Sequence, residues 1–255
     1  MVKMVVSDFD GTLMNYPDKF TEGQIRILKE LRSKGIIFGI VTGRNVSFFE
    51  QFPSLLELTD FIISSNGGSI YDVKNKSFIF NSCINDDDLN KLIKLGINNN
   101  YTFIINELDK KYKYGDLKKI ESFDFDYNRQ YKAEQLIFYI ENNILDNFLE
   151  TIKNYNGINI NYINKKENVT TIDVTFHSVN KGNAVSWLCN YLRIVFDDVI
   201  AFGDGENDIS VFKIIDKCIC VDNACLELKK YAFDFTLSCD ENGVFKYIED
   251  NILKQ

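Results

Sequence analysis

V-K-M-V-V-S-D-F-D-G-T-L, residues 2–13, is the stretch from which the rest of the chain is read. Its first half is short, apolar and rich in β-branched residues, which suits a strand buried on both faces of a parallel sheet. Directly after it stand two carboxylates, Asp8 and Asp10, two residues apart. In extended backbone that spacing sends both side chains to the same side. Anions held so close repel each other and are costly unless a cation lies between them. A purely structural role does not explain such a pair behind a core strand. Gly11 and Thr12 turn the chain sharply, and Leu13 anchors its return. The stretch therefore reads as a carboxylate site for a hard divalent cation at the carboxyl end of a parallel strand, where open α/β sheets bind ligands.

Outward from this stretch the pattern alternates. Thr21 is placed to cap a helix with apolar Ile25, Ile27, Leu28 and Leu31, and Gly35 stops it. Residues 36–41 read as a second buried strand, completing a β-α-β unit with a right-handed crossover. It ends in Thr42-Gly43-Arg44, where a hydroxyl and a glycine that admits close backbone approach make a small phosphate cradle. Taken alone, the tripeptide fits a polar strand-to-helix turn equally well. A helix over 46–52 and a third strand over 61–64 lead to Ser65-Asn66-Gly67-Gly68, a turn signal followed by a hairpin of 69–71 with 78–80.

From residue 83 to 178 the composition shifts toward Asn, Lys and Tyr, with few glycines. This reads as an inserted α+β domain: helix 86–95, strand 101–106, a basic stretch 110–119, strand 136–141, helix 145–154, and strands 158–162 and 170–175, with the helices on one face of an open sheet. Core pattern resumes at Lys181-Gly182-Asn183-Ala184, which opens a helix over 184–192. A lysine at a helix start opposes the dipole, so another gain has to hold it there. Strand 199–202 then runs into Gly203-Asp204-Gly205-Glu206-Asn207-Asp208, a glycine-bracketed acidic turn at a strand end. A merely solvated loop leaves those glycines unexplained. Strand 218–221, helix 224–230, strand 233–236 and a last helix to about residue 252 complete the expected fold. It is a doubly wound, Rossmann-like parallel-sheet core of class α/β, residues 1–82 and 179–255, with the insert at 83–178.

Composition narrows the function. At 255 residues the chain is long enough for one large or two modest domains, and 45% hydrophobic with 26% charged residues is globular. A formal net charge of −8 argues against nucleic acid or an anionic membrane surface as partner. It does not exclude a phosphate, because a metal and a lysine focus positive potential locally. No apolar run is long enough to span a bilayer, and the amino-terminal run ends too soon for a secretory signal. Six cysteines at irregular spacing point to reduced thiols and a cytoplasmic protein. Cys218 and Cys220, inside an apolar run, read as core packing.

Residues 8–13, D-F-D-G-T-L, resemble the first motif of the haloacid-dehalogenase-like phosphohydrolases, D-x-D-G-T-[LV]. The other three motifs follow in order. Thr42-Gly43-Arg44 is similar to [ST]-G-R, Lys181–Ala184 to K-G-x-A, and residues 203–208 to G-D-x-x-N-D, the most specific of the four. Asn66-Gly67-Gly68 resembles the N-G-[AG] segment of the Cof-type branch, and the insert resembles a type IIB cap. The resemblance covers the whole chain, firmly over the core and by architecture over the insert.

The resemblance implies a Mg²⁺-dependent phosphatase acting on small phosphate esters, sugar phosphates first, with pyridoxal phosphate and flavin mononucleotide behind. It implies Asp8 as nucleophile and Asp10 as the acid and base. Mg²⁺ is then held by Asp8, the backbone carbonyl of Asp10 and Asp204, with Asp208 orienting the shell. Thr42, the Gly43 amide and Lys181 neutralise the phosphoryl oxygens, and Arg44, Asn66 and Asn207 lie on the substrate side. A phosphomutase similar to the phosphomannomutases is the enzymatic rival. It needs an arginine to grip a second phosphate, and the insert offers only Arg129. A non-catalytic phosphosugar-binding protein is the rival of another class. A monomer is expected, with the insert as a lid that selects substrate. His177, in the second crossing to the insert, reads as a local hydrogen-bonding residue ahead of a pH sensor.

Overall fold

Met4–Ser7 is buried at all four positions, as an apolar run with a parallel partner on each side requires. Met4 stands opposite Ile37 of Ile37–Val41 on one side and opposite Val199 of Val199–Gly203 on the other. This computed structural model describes residues 1–15, 19–116 and 122–254, with backbone alone at 162–164. Across its eight-stranded sheet the order is Asp234–Thr236, Cys218–Val221, Val199–Gly203, Met4–Ser7, Ile37–Val41, Phe61–Ser64, Ser69–Asp72 and Ser77–Asn81. The first six run parallel, and Ser69–Asp72 folds back antiparallel on Phe61–Ser64.

That order reverses in the middle. From Met4–Ser7 the chain steps outward through Ile37–Val41 to Phe61–Ser64; later it restarts at Val199–Gly203 and steps the other way. A crevice opens beyond the carboxyl ends of strands at such a switch point, here between Met4–Ser7 and Val199–Gly203. Right-handed crossovers in opposite directions put helices on both faces. Accordingly Glu22–Ser33 packs with Pro53–Leu58 and Gly243–Ile248, whereas Lys181–Leu192 packs with Ile209–Phe212. The core is the α/β doubly wound sheet that the sequence suggests.

Local chemistry sets the element ends. Thr21 Oγ1 accepts from Gln24 N at 3.3 Å while Gln24 Oε1 accepts from Thr21 N at 2.7 Å, a capping box of about 1 kcal/mol. The helix Glu22–Ser33 buries Ile27, Leu28 and Leu31. The helix expected over 46–52 is the 3₁₀ segment Val46–Gln51, and a separate α-helix follows over Pro53–Leu58. Tertiary packing overrides propensity here: the rings of Phe48, Phe49 and Phe52 surround Phe9, with centroids 5.8, 5.0 and 5.7 Å away. Burial pushes the thiols of Cys218 and Cys220 up, Cys220 to about 12, which suits packing and not reactivity.

By contacts the chain falls into two units, Met1–Ile79 with Asn180–Gln255, and Phe80–Val179. The second unit has a six-stranded sheet, ordered Ile158–Lys165, Val169–Phe176, Gln135–Glu141, Thr102–Glu107, Lys110–Tyr114 and Phe123–Asp124. Neighbours are antiparallel except the last pair. Phe103, Ile105, Leu136, Phe138, Ile140, Ile172 and Val174 share one face through the two-residue period, and helices Asp86–Asn98 and Leu145–Ile152 add Leu89, Leu92, Phe148 and Ile152 to the same core. Part of the expected basic stretch 110–119 is the strand Lys110–Tyr114; residues 117–119 lie outside the described set. His177 donates its backbone N–H to Gly157 O at 3.0 Å and sets its ring edge-on to Phe176.

Candidate active site

The strand Met4–Ser7 delivers Asp8 to the switch point, where its N–H donates to Phe202 O at 3.0 Å. The chain then leaves extended geometry at once: Leu13 N and Met14 N both donate to Phe9 O. This turn changes the expected side-by-side pair of Asp8 and Asp10. The carboxylates that converge are those of Asp8, Asp204 and Asp208, with oxygens all within 4.8 Å of one another. Asp10 is held elsewhere, by Arg44, whose Nε and one terminal nitrogen donate to its two oxygens at 2.8 and 2.6 Å. The Arg44 guanidinium also sits 4.0 Å over the Phe48 ring.

Lys181 explains its own position at the helix start. Fully buried, its Nζ donates to Asp8 Oδ1 at 2.5 Å and to Asp208 Oδ1 at 2.6 Å. Asn180 caps that helix by accepting from Asn183 N at 2.8 Å, so the unfavourable dipole is offset locally. Helix Lys181–Leu192 approaches Ile209–Phe212 so closely that a Cβ at Gly182 would lie 2.2 Å from Ser210 O.

The acidic turn is folded by one of its own carboxylates. Asp208 Oδ2 accepts from the backbone N–H groups of Asp204 and Gly205, each at 3.0 Å, while its other oxygen faces Lys181. Thr12 Oγ1 donates to Asp204 Oδ1 at 2.7 Å. Gly11 is required beside it: its φ is +79°, and a Cβ there would meet Asp204 Oδ2 at 2.6 Å.

A second group gathers the loops after the neighbouring strands. Thr42 is buried; its Oγ1 accepts from Arg44 N at 3.1 Å and its carbonyl from Asn66 N at 2.9 Å. A Cβ at Gly43 would come within 3.1 Å of Asn66 Nδ2. Asn66 itself takes the left-handed conformation, φ 54° and ψ 29°, and its Oδ1 accepts from Asn207 Nδ2 at 3.1 Å. Every site residue expected from sequence therefore lies on one of these loops or on the Lys181 helix start. Thr12 was not among them, since a threonine in a D-G-T turn reads first as turn chemistry.

Electrostatics fit a site for a divalent cation. Burial holds the Asp8 carboxyl well above its usual range; Lys181 pulls it down, but Asp208 and Asp204 push it up. Burial, then Asp208, also raises Asp204. Burial alone would lower Lys181, yet Asp208 and Asp8 hold its ammonium above the ordinary range. Three carboxylates around one ammonium leave an excess of negative charge, and an all-oxygen set is the donor chemistry of Mg²⁺ or Ca²⁺.

The fold and this constellation define a hydrolase class. The profile of the haloacid dehalogenase-like hydrolases matches residues 5–248, and the chain belongs to that family. It is 24% identical over 257 residues to the 5-amino-6-(5-phospho-D-ribitylamino)uracil phosphatase of Bacillus subtilis, covering 99% of this chain and 96% of that protein. To the phosphoglycolate phosphatase of Archaeoglobus fulgidus it is 26% identical over 250 residues, covering 97% and 96%. Among solved structures, a haloacid dehalogenase-like hydrolase from Bacteroides thetaiotaomicron matches with TM-score 0.85 at 21% identity, over 98% and 99% of the two chains. A subclass IIB sugar phosphatase matches with TM-score 0.82 at 18% identity, over 99% and 100%. At those identities the structures speak for the fold.

Proposed function

We propose that this hydrolase, a phosphoric monoester hydrolase, cleaves small phosphorylated metabolites, sugar phosphates foremost, by phosphoryl transfer to Asp8 with Mg²⁺ as its metal. The observation that carries the reading is the convergence of Asp8, Asp204 and Asp208 around buried Lys181 at the switch point. Phosphoryl transfer asks for positioning and charge neutralisation more than for acid strength. An Asp8 carboxylate oxygen attacks phosphorus, the ester oxygen leaves, and water then cleaves the aspartyl-phosphate. Asp10 protonates the leaving oxygen and later takes the proton of that water. Arg44, which grips both Asp10 oxygens, orients it and releases one for the transfer. Lys181, the Thr42 hydroxyl and the Gly43 amide meet the phosphoryl oxygens, and Asn66 and Asn207 complete the substrate side. Asp8 and Asp204 hold the metal, with Asp208 fixing the turn that carries Asp204; when bound, it supplies charge neutralisation for the phosphoryl group.

The phosphomutase alternative draws no support from Arg129. That guanidinium donates to Glu107 at 2.8 Å and lies 4.4 Å over the Tyr112 ring, so it is committed within its own unit.

Metal removal tests the reading. With 4-nitrophenyl phosphate, chelation is expected to lower turnover to below about a hundredth and added Mg²⁺ to restore it. Mg²⁺ should also raise the melting temperature of the wild type and fail to do so for Asp204→Ala. Full turnover in chelator, with trace metals excluded, would sink the metal site. The phosphatase reading itself fails if no ester in a phosphometabolite panel is hydrolysed with Mg²⁺ present.

A further inference from the structure

Asn223 lies in the turn between the strand Cys218–Val221 and the short helix Leu226–Lys229. An asparagine in a turn ordinarily spends its side chain on its own backbone. This one spends both ends on distant segments. Its Nδ2 donates to Gly11 O at 2.7 Å, 212 positions away, and its Oδ1 accepts from Cys239 N at 2.8 Å, 16 positions away. The first of these bonds crosses the site. Cys218–Val221 and Met4–Ser7 are the two neighbours of Val199–Gly203, so at roughly 4.8 Å per strand they stand about 10 Å apart, with the strand that leads to Asp204 between them. Asn223 spans that gap.

Two further bonds close a ring. Cys225, two residues on, donates its N–H to Asp204 O at 2.8 Å, and Thr12, next after Gly11, donates its hydroxyl to Asp204 Oδ1 at 2.7 Å. Asp204 is thus held through its carbonyl by one segment and through its carboxylate by the other, and Asn223 ties those two segments to each other. The ring leaves little slack, since a Cβ at Gly11 would lie 2.6 Å from Asp204 Oδ2. A force opposes it. The carboxylate oxygens of Asp8, Asp204 and Asp208 lie within 4.8 Å of one another, and their repulsion pushes the turn that carries Asp8 away from the loop that carries Asp204. Because the Asn223 side chain is exposed, water competes for its bonds and they add little to the stability of the core.

We infer that Asn223 is a positioning residue for the metal site: by tying the turn at Gly11 to the turn after Cys218–Val221, it holds Asp204 against Asp8 ready for a divalent cation. The inference rests on the metal-dependent phosphatase reading and adds to it a residue that sets metal affinity without touching metal or phosphate.

Asn223→Ala and Asn223→Ser in the full chain test it. Serine suits the same turn but is too short to bond Gly11 and Cys239 together, so it separates turn chemistry from the tie. Calorimetry with Mg²⁺ alone is expected to show affinity about tenfold weaker in both variants, the scale of a lost partner behind a metal ligand. In chelator both should melt within about 2 °C of the wild type, because relief of the repulsion offsets the lost bonds. Turnover of 4-nitrophenyl phosphate should fall at limiting Mg²⁺ and return to within about threefold of wild type at saturating Mg²⁺, with KM unchanged. Thr12→Val cuts the same ring at another bond. Losses from two cuts in one ring do not add, so the double variant with Asn223→Ala should bind Mg²⁺ within about twofold of the weaker single variant. A structural role predicts a lower melting temperature in chelator with Mg²⁺ affinity unchanged. Affinity within about twofold of wild type in the folded variants overturns the inference, as do full recovery by serine and losses that multiply in the double variant. If the wild type binds no Mg²⁺, the metal-dependent reading is what fails, and amide exchange decides the tie. Faster exchange in Asn223→Ala at the Gly11 and Cys225 amides, bonded to Met14 O and Asp204 O, supports it, and unchanged exchange overturns it.

Discussion

Asp8→Asn is expected to abolish turnover, by roughly a thousandfold or more, while leaving the fold intact. The two halves of that outcome have separate causes. Turnover goes because an amide oxygen does not form the bond to phosphorus that a carboxylate forms. The fold stays because asparagine has nearly the same shape and its Oδ1 can still accept from Lys181, which donates to Asp8 at 2.5 Å. Stability of the metal-free protein should even improve above the ordinary carboxylate range. Burial first, then Asp208 and Asp204, holds the Asp8 carboxyl up, so the folded wild type binds a proton that the unfolded chain has already released. Wild-type stability therefore falls as pH rises from the ordinary carboxylate range toward the raised value, and the Asn variant is flatter over that interval. Steady-state kinetics on protein checked by mass spectrometry for deamidation, with thermal melts across pH, measure both halves. Activity above about a hundredth of wild type would remove Asp8 from the covalent role.

How much of this was legible in the sequence follows from the range of the interactions involved. Strand 2–7, the turn at Gly11 and the glycine-bracketed loop 203–208 are local features, and local patterning exposes them. The oddity of a lysine at a helix start was also visible, and buried Lys181 between Asp8 and Asp208 is its explanation. Other parts depend on which loops meet in space. The grip of Arg44 on Asp10 joins residues 34 positions apart, and Thr12 reaches Asp204 across 192. No period or spacing encodes those distances. The 3₁₀ segment Val46–Gln51 likewise follows from the rings that crowd Phe9. In T-T-I-D-V-T-F of Val169–Phe176 the alternation is plain, but only the register with Gln135–Glu141 and Ile158–Lys165 collects Thr175, Gln135 and Asn161 into one patch.

Lys181→Met carries the second large effect, and here stability and rate fall together. The ammonium is fully buried and is the cation bonded to both Asp8 and Asp208. Methionine fills a similar volume but leaves those two carboxylates, with Asp204 beside them, in a buried cluster without it. Breaking a buried ion pair by removing one partner costs about 3–5 kcal/mol, because the other charge stays uncompensated. In metal-free buffer the variant should therefore melt well below the wild type. Its carboxylates also lose the influence that pulls Asp8 down, so Asp8 holds its proton to still higher pH. A divalent cation bound by the same carboxylates replaces part of the lost positive charge. The melting temperature should accordingly rise more with Mg²⁺ in Lys181→Met than in the wild type, while turnover stays at least a hundredfold down for want of the ammonium on the phosphoryl oxygens. A variant that melts with the wild type in chelator would show that Lys181 does not neutralise the cluster. One that gains no more from Mg²⁺ than the wild type would show that metal and lysine do not balance the same charge.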